Sequence, residues 1–455
     1  MPSIAIIGGG VAGIAAAQRL LQARPDWQIR VFERANRLGG RALTDSVSIP
    51  GFAFDKGSVY LQDSATNPLT AIAQRLQFAT TPEPNSDAWL RVQGVDGPVN
   101  LNEFEPSFAL VTQQIEANFN VAAERDDEED FKYPNATVTP QPVLATPMLQ
   151  FGFGVSQYGA FSESAETWQY LAADSARQVS PEPASGNLYV DRGIGTLVQT
   201  WGEQVLADHA VLGAQVTQLA LSADAVTVHW LQGEQPQQGA FDACIVTLPV
   251  AVMAARDVTF DPPLPAPYLQ ALQSLRLGSY KKFALAMAQV PGDLNSADNT
   301  YYLTQGGLGL PGPSGVWQVF RVPQPDGATP VLLVHAAGDF AAQLDALGDA
   351  AAFELCTARL QLAWPELRLN PEQRAVTNWN ANPLCRGAYS YTRPSPGLLA
   401  QDTTALQARI NLGEPLERLH FAGEATSTAC YGTLQAAYFE GERAADAVVA
   451  QLMQP

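Results

Sequence analysis

Three glycines near the start of the chain have the G-x-G-x-x-G spacing that brings a main chain close to a phosphate group. Gly8 allows a tight turn out of a strand, Gly10 lets the main chain touch a pyrophosphate, and Gly13 lets the following helix pack closely. N–H groups at the start of that helix can stabilise the phosphate charge. Glu33 follows after about 20 residues and can accept hydrogen bonds from ribose hydroxyls. The spacing predicts a dinucleotide site.

The segments around these glycines have the pattern of a β-α-β unit. Ser3–Ile7 is a short apolar run with β-branched residues, as expected of a buried parallel strand. Apolar residues then recur at helical spacing (Ile14, Leu20 and Leu21), and residues 29–32 predict a second strand. Because the strand, the helix, the second strand and the acidic residue occur in this order, the whole segment indicates a dinucleotide site more specifically than the glycines alone.

A second glycine pair and an arginine follow the acid within a few residues. Gly39 and Gly40 permit another close approach to phosphate, and Arg41 supplies a planar, permanently charged group. Together, the two glycine segments resemble those of the flavin amine oxidase family (monoamine oxidases, polyamine oxidases and their relatives). In that family the site holds FAD rather than NAD.

The resemblance implies an α/β fold (α+β overall). We expect a Rossmann-like FAD-binding domain of the glutathione-reductase type, discontinuous in the chain, and a substrate-binding domain with a mixed sheet and helices. The FAD-binding domain is expected at residues 1–66, 189–262 and 381–455. The substrate-binding domain is expected at residues 67–188 and 263–380.

Several later motifs are similar to the family's FAD-binding segments: a D-x-G turn at residues 55–57, a strand start at Val216, and the segments 420–426 and 431–437. In the family, the residue at Val216 contacts adenine through its main chain, and Glu424 reaches the ribityl or pyrophosphate region. The cofactor-binding residues that the resemblance implies are Gly8, Gly10, Ala12, Gly13, Glu33, Arg34, Gly40, Arg41, Gly57, Ser58, Val216, Gly423, Glu424, Gly432, Thr433 and Leu434.

The resemblance also indicates where the chemistry takes place. Lys282 follows Gly278 by four residues, where the family places a lysine whose ammonium holds a water beside flavin N5. Tyr389 belongs to a W…G-x-Y pattern with Trp379 and would form one wall of an aromatic cage that directs an amine. Lys281 is interpreted as a strand-end residue whose ammonium reaches solvent. The catalytic residues implied are Lys282, Tyr389, Trp379 and Thr433.

Two departures from the family pattern bear on cofactor and substrate. Covalently flavinylated members have a cysteine directly before the cage tyrosine, where this chain has Ala388, so we expect non-covalent FAD. Monoamine oxidases have a second tyrosine where this chain has Thr433. A small residue there widens the site, which favours a polyamine or another non-aromatic amine.

The expected reaction is oxidation of a C–N bond by hydride transfer to flavin N5, giving an imine that hydrolyses to an aldehyde and an amine. O₂ or another acceptor would reoxidise the flavin. One alternative is an L-amino-acid oxidase or desaturase-type relative, which would need an arginine such as Arg91 or Arg321 to bind a carboxylate. Another is a non-catalytic flavin-binding protein. The oligomeric state is left open.

The composition fits a globular enzyme of two domains, with 455 residues, 46% hydrophobic and 16% charged. A net charge of −19 argues against nucleic acid as a partner. The acidic run at residues 124–130 is interpreted as a solvated loop, with an electrostatic funnel for a polycation as the alternative. The four cysteines show no metal-ligand spacing and are interpreted as reduced thiols, and the four histidines form no ligand cluster and are interpreted as structural. Without a signal peptide or membrane span in the sequence, we expect a cytoplasmic protein.

Overall fold

The computed structural model describes residues 1–84, 88–93, 97–100, 185–294, 298–304, 312–313, 315–325, 327–392 and 407–453. The acidic run at residues 124–130 lies outside the described residues.

Strands and helices are interspersed along the chain. In chain order the strands are β1 (Ser3–Ile7), β2 (Gln28–Glu33), β3 (Thr44–Asp45), β4 (Phe54–Asp55), β5 (Thr80–Pro82), β6 (Ala88–Val92), β7 (Val99–Asn100), β8 (Leu188–Val190), β9 (Ala210–Leu212), β10 (Ala214–Leu221), β11 (Val226–Gln232), β12 (Gln235–Phe241), β13 (Ala243–Val246), β14 (Thr259–Asp261), β15 (Leu275–Leu277), β16 (Tyr280–Gln289), β17 (Asn299–Leu303), β18 (Val316–Phe320), β19 (Val331–Ala337), β20 (Arg368–Val376), β21 (Ser390–Thr392) and β22 (Leu419–Phe421).

The described helices are α1 (Val11–Ala23), α2 (Pro68–Arg75), α3 (Ile194–Leu206), α4 (Val250–Ala254), α5 (Ala266–Ser274), α6 (Gly338–Leu347), α7 (Asp349–Ala363), α8 (Gln407–Gly413) and α9 (Leu434–Leu452). Short 3-10 turns occur at Gly292–Leu294 and Glu424–Thr426. In the part of the chain that the structure describes, no helix has the length and apolar character needed to span a membrane.

A five-stranded parallel sheet forms the centre of the nucleotide-binding part, in the order β22-β13-β1-β2-β9. Both neighbours of β1 run parallel to it, and every residue of β13 is buried, as expected for a parallel sheet covered on both faces. α1 connects β1 to β2. The predicted α/β, Rossmann-like fold class is confirmed.

Two glycines allow α1 to lie unusually close to its neighbours. A Cβ on Gly13 would lie 1.9 Å from the carbonyl oxygen of Gly8, and a Cβ on Gly441 of α9 would lie 2.3 Å from that of Ala12. Both distances are impossible for real atoms, so only glycine fits at these positions. The start of α1 is therefore fixed directly behind the turn that follows β1.

A second sheet, in the order β12-β11-β10-β14, packs against the parallel sheet. Its antiparallel hairpin of β10 and β11 includes residues 226–230, along which buried and half-buried side chains alternate. Phe32 joins the two sheets, with ring centroids 4.7 Å from Trp230 and 5.8 Å from Phe241. This packing brings Val216 of β10 to the edge of the nucleotide-binding sheet.

The largest sheet has seven strands in the order β20-β16-β19-β18-β17-β6-β7. Its core includes Phe283, Trp317 and Phe353, and α6 and α7 pack on the same side. Lys281 on β16 is completely buried, and its ammonium contacts Asp345 at 2.8 Å. The interpretation of Lys281 as a solvent-reaching residue is therefore wrong, since helix residues cover that face of the strand.

The sheets draw on separate stretches of the chain. The parallel sheet takes its strands from residues 3–33, 210–246 and 419–421, and the seven-stranded sheet takes its strands from residues 88–100, 280–337 and 368–376. The domain boundaries given above stay a prediction.

Candidate active site

A cavity of about 550 Å³ extends from the turn after β1 to the first residues of β16. Of the site residues predicted from the sequence, only Gly13 is absent from its wall, because Gly13 lies behind the turn. The predicted residues that line the cavity are Gly8, Gly10, Ala12, Glu33, Arg34, Gly40, Arg41, Gly57, Ser58, Val216, Lys282, Trp379, Tyr389, Gly423, Glu424, Gly432, Thr433 and Leu434.

The nucleotide end of the cavity presents main-chain donors and an oriented carboxylate. No side chain caps α1 at Gly10, so the first N–H groups of the helix lack intrahelical acceptors. Glu33 accepts hydrogen bonds from the N–H groups of Gly9 (2.8 Å) and Ala35 (2.7 Å), which fix its carboxylate. Thr247, which the sequence reading missed, donates its hydroxyl to the carbonyl of Ile7 at 2.9 Å and supports the turn.

The second glycine segment lies directly against the first. Gly39 donates its N–H to the carbonyl of Gly9 at 2.8 Å, and a Cβ on Gly40 would come within 3.3 Å of the α-carbon of Gly10. Gly40 has a φ of +57°, in the left-handed region that favours glycine. Arg37 holds this segment by donating to the carbonyl of Gly40 at 2.7 Å. The two segments together form one main-chain cradle.

Arg41 and Glu424 form an ion pair of 2.8 Å in the middle of the cavity wall. The Glu424 carboxylate also accepts hydrogen bonds from the Ser390 hydroxyl (2.5 Å) and the Gly432 N–H (3.0 Å). Burial would raise the pKa of Glu424, but Arg41, Arg409 and these donors hold it below the ordinary value. Glu424 thus joins three distant segments. Gly423 directly precedes Glu424 in the chain, and a Cβ on Gly423 would meet no atom within 4 Å.

Lys282 lies at the opposite end of the cavity, 5% exposed. Its ammonium donates to the carbonyls of Asp55 (3.2 Å) and Gly57. Burial lowers the pKa of Lys282 to about 7, and the nearby Asp55 carboxylate partly opposes this shift. Asp55 itself accepts hydrogen bonds from Thr44 (2.6 Å) and from the N–H of Ile194 at the start of α3 (2.9 Å). These contacts make Asp55 the brace of the D-x-G turn.

An aromatic wall stands beside Lys282. The ring centroids of Tyr389 and Tyr280 lie 6.2 Å apart, and a Cβ on Gly432 would come within 3.0 Å of the Tyr389 ring. Trp379 donates its indole N–H to the carbonyl of Lys56 at 3.0 Å. Thr433 caps α9: its hydroxyl oxygen accepts the N–H of Ala436 at 3.1 Å. The catalytic roles of these residues stay predictions.

Sequence reasoning missed Tyr280 and His335 as residues of the cavity, and its interpretation of His335 as structural stays a prediction. Both line the cavity, and the Tyr280 hydroxyl lies 3.0 Å from His335 Nδ1. Burial, with a smaller contribution from Lys282, lowers the pKa of His335 well below its usual value, so the imidazole is neutral. Tyr280 could have been found, because it lies two residues before Lys282 and alternation places both on one face. The pairing of His335 with Lys282 across β16 and β19 could not have been found from the sequence.

A Rossmann-type sheet with a dinucleotide cradle, opening into a cavity with a buried lysine and an aromatic wall, defines the class of flavin-dependent oxidoreductases. The chain matches the family model described as flavin containing amine oxidoreductase over residues 11–449, and it belongs to this family. It is therefore an FAD-dependent oxidoreductase that acts on amines.

The chain is also similar to individual proteins. The chain is 27% identical to polyamine oxidase 4 of Oryza sativa subsp. japonica, over 98% of this chain and 88% of that protein. Cyclohexylamine oxidase from Brevibacterium oxydans IH-35A has a similar fold, with a TM-score of 0.71, 17% identity and full coverage of both chains. Putrescine oxidase bound to putrescine gives a TM-score of 0.71 at 16% identity, over 99% of each chain.

Proposed function

We propose that this enzyme oxidises a polyamine or another non-aromatic amine, using FAD held without a covalent bond. The proposal rests on one continuous cavity, which joins the dinucleotide cradle to Lys282 and Tyr389. Thr433 gives this end of the cavity a small side chain in place of a second tyrosine. The similarity to polyamine oxidases supports the same substrate class.

The residues in the cavity wall fit FAD. The uncapped N-terminus of α1 and the cradle of Gly10 and Gly40 suit a pyrophosphate, which needs main-chain donors and close approach. The carboxylate of Glu33, oriented by two N–H groups, suits the ribose hydroxyls. The start of α9, next to Gly432, offers a positive helix end for the far part of the cofactor.

Bound FAD would supply the redox chemistry, which is acceptance of a hydride from the carbon next to the amine nitrogen and transfer of the electrons to O₂ or another acceptor. The protein's own contribution is to position the amine. Tyr389 and Tyr280 present ring faces that attract a nitrogen centre, and the cationic Lys282 disfavours a second positive charge beside it. An amine is therefore bound in its neutral form at this end, ready to lose hydride. The imine product hydrolyses in water to an aldehyde and an amine.

Acid precipitation is expected to release the flavin into the supernatant and leave a colourless pellet. Ala388 has no thiol to form a bond, and the nearby Cys385 is buried, with its sulfur 3.7 Å from the carbonyl of Trp379. Burial also raises the pKa of the Cys385 thiol, so little reactive thiolate is present. Flavin fluorescence of the two fractions measures the outcome. A pellet that keeps its flavin would refute non-covalent binding.

Mixing the holoenzyme anaerobically with spermidine is expected to bleach the flavin absorbance. The screen includes benzylamine as an aromatic monoamine and leucine as an amino acid, both of which should bleach it more slowly. Faster bleaching by leucine would support the amino-acid oxidase alternative, although Arg91 is paired with Asp293 at 2.5 Å and neither Arg91 nor Arg321 lines the described cavity. No bleaching by any amine would contradict the proposed function and favour a non-catalytic flavoprotein.

A further inference from the structure

The wall of the cavity contains a further carboxylate that has no role in the dinucleotide cradle. Glu83, directly after β5, lines the cavity together with Tyr60 and Gln62. Tyr60 lies three residues after Gly57, whose carbonyl accepts a hydrogen bond from Lys282. Three extended residues span at most about 10 Å of main chain. Glu83 thus shares a cavity with Lys282, in a part of the wall that includes Tyr60.

Glu83 is held in place by neutral groups. Its N–H donates to the carbonyl of Asn187 at 2.9 Å, and the Asn187 side-chain amide donates back to its carboxylate at 2.8 Å. Among the described residues, Glu83 has no ion pair. In contrast, the cavity carboxylates of Asp257 and Glu424 each pair with an arginine. The negative charge of Glu83 is therefore available to a ligand.

Two tyrosines stand next to this carboxylate. The rings of Tyr60 and Tyr189 pack with centroids 5.1 Å apart. Burial, followed by the influence of Tyr189 and Glu83, raises the pKa of Tyr60 well above its usual value, so the phenol is neutral. A carboxylate beside a neutral aromatic face is a combination that binds ammonium groups.

We infer that Glu83 and Tyr60, backed by Tyr189, form a subsite for the second, charged ammonium of a diamine or polyamine. The inference rests on the proposed function and makes it more specific. The wall around Lys282 and the wall around Glu83 differ in charge, since Lys282 repels a cation and Glu83 attracts one. A substrate with two amines is therefore oriented: its neutral amine lies near Lys282 and Tyr389, and its ammonium lies at Glu83.

The test compares two amines of equal length, octamethylenediamine and octylamine, which differ in the distal ammonium. In the E83Q holoenzyme we expect kcat/KM for the diamine to fall about 10- to 100-fold, because its distal ammonium loses a charged hydrogen-bonded partner. We expect kcat/KM for octylamine to stay unchanged. Glutamine keeps the size of the side chain and its contact with Asn187. E83D keeps the charge and should recover part of the diamine activity.

E234Q is the matched control, because Glu234 is exposed in the β11–β12 turn and the substitution makes the same change in net charge. It should behave as wild type with both amines. An equal loss with both amines in E83Q, or no loss with the diamine, would overturn the subsite.

If spermidine, octamethylenediamine and octylamine all fail to bleach wild-type flavin, the proposed function fails, and calorimetric binding of octamethylenediamine to the oxidised holoenzyme still tests the subsite. Weaker binding to E83Q than to wild type supports it, and equal binding refutes it.

Discussion

The Gly13→Ala variant is expected to bind FAD about 10- to 100-fold more weakly than wild type, the range that corresponds to about 1–3 kcal/mol of overpacking. The added methyl group would lie 1.9 Å from the carbonyl oxygen of Gly8. That oxygen belongs to the main chain of the cradle, so no side-chain rotation can relieve the clash. Either α1 moves away from the turn or the turn opens, and both displace the N–H groups that face the pyrophosphate. Titration of the apoprotein with FAD measures the loss.

Gly186→Ala is the control for this prediction. A Cβ on Gly186 would meet no atom within 4 Å, and its φ lies outside the left-handed region. The control should bind FAD as wild type does. Circular dichroism of both variants shows whether the sheet still forms. A folded Gly13→Ala protein with wild-type FAD affinity would show that close packing of α1 on the turn is not needed for cofactor binding.

The main-chain cradle could be predicted from the sequence because it depends on residues that are near one another in the chain. Gly8, Gly10 and Gly13 must be glycines for reasons of turn geometry and close approach, and such reasons leave a fixed spacing in the chain. Glu33 follows at the end of the next strand for the same reason. The structure places these residues around one turn, as their order requires.

The substrate end could be predicted only in part, because pairing between distant strands builds it. Lys282 and Tyr389 were identified through a resemblance. Glu83 and Tyr60 come together through the pairing of β5 with β8 and through a bridge between residues 61 and 188. Nothing in the local sequence around residue 83 indicates a neighbour near residue 188.

Lys281 and Lys282 also show what the local sequence cannot predict. Alternation along β16 correctly implies that Lys281 and Lys282 face opposite sides of the sheet. It does not indicate what covers each side. Asp345 and Asp349 of two later helices surround Lys281, so it is an interior ion-pair residue. Which elements cover a strand is a tertiary property that the pattern of the strand does not contain.

The Lys282→Met variant is expected to react with O₂ about 100-fold more slowly in its reduced form, the size of effect seen when one preorganised donor is lost from a reacting centre. Flavin reduction at saturating amine should change far less, since the amine that reacts is already neutral and transfers no proton to or from Lys282. Stopped-flow measurement of each half-reaction separates the two. Equal losses in both half-reactions would contradict this role for the lysine.

Lys281→Met makes the same chemical change one residue away, on the other face of β16. It should lower the unfolding temperature, because it leaves Asp345 and Asp349 without their buried cation. Measured below that temperature and per bound flavin, both half-reactions should match wild type. A slow reaction with O₂ in this control would assign the effect to disturbance of the strand instead of to the Lys282 ammonium.

The pH dependence of the reaction with O₂ tests whether the charge on Lys282 is required. Burial lowers the pKa of Lys282 to about 7, so the side chain is charged below that pH and loses its charge as the pH rises through it. Asp55 favours the charged form, whereas His335 contributes no charge because its pKa lies well below the usual value. The rate of reaction with O₂ should therefore fall as the pH rises above about 7 in wild type and stay constant in Lys282→Met. A wild-type rate that is constant through this range would show that a charged Lys282 is not what O₂ reduction requires.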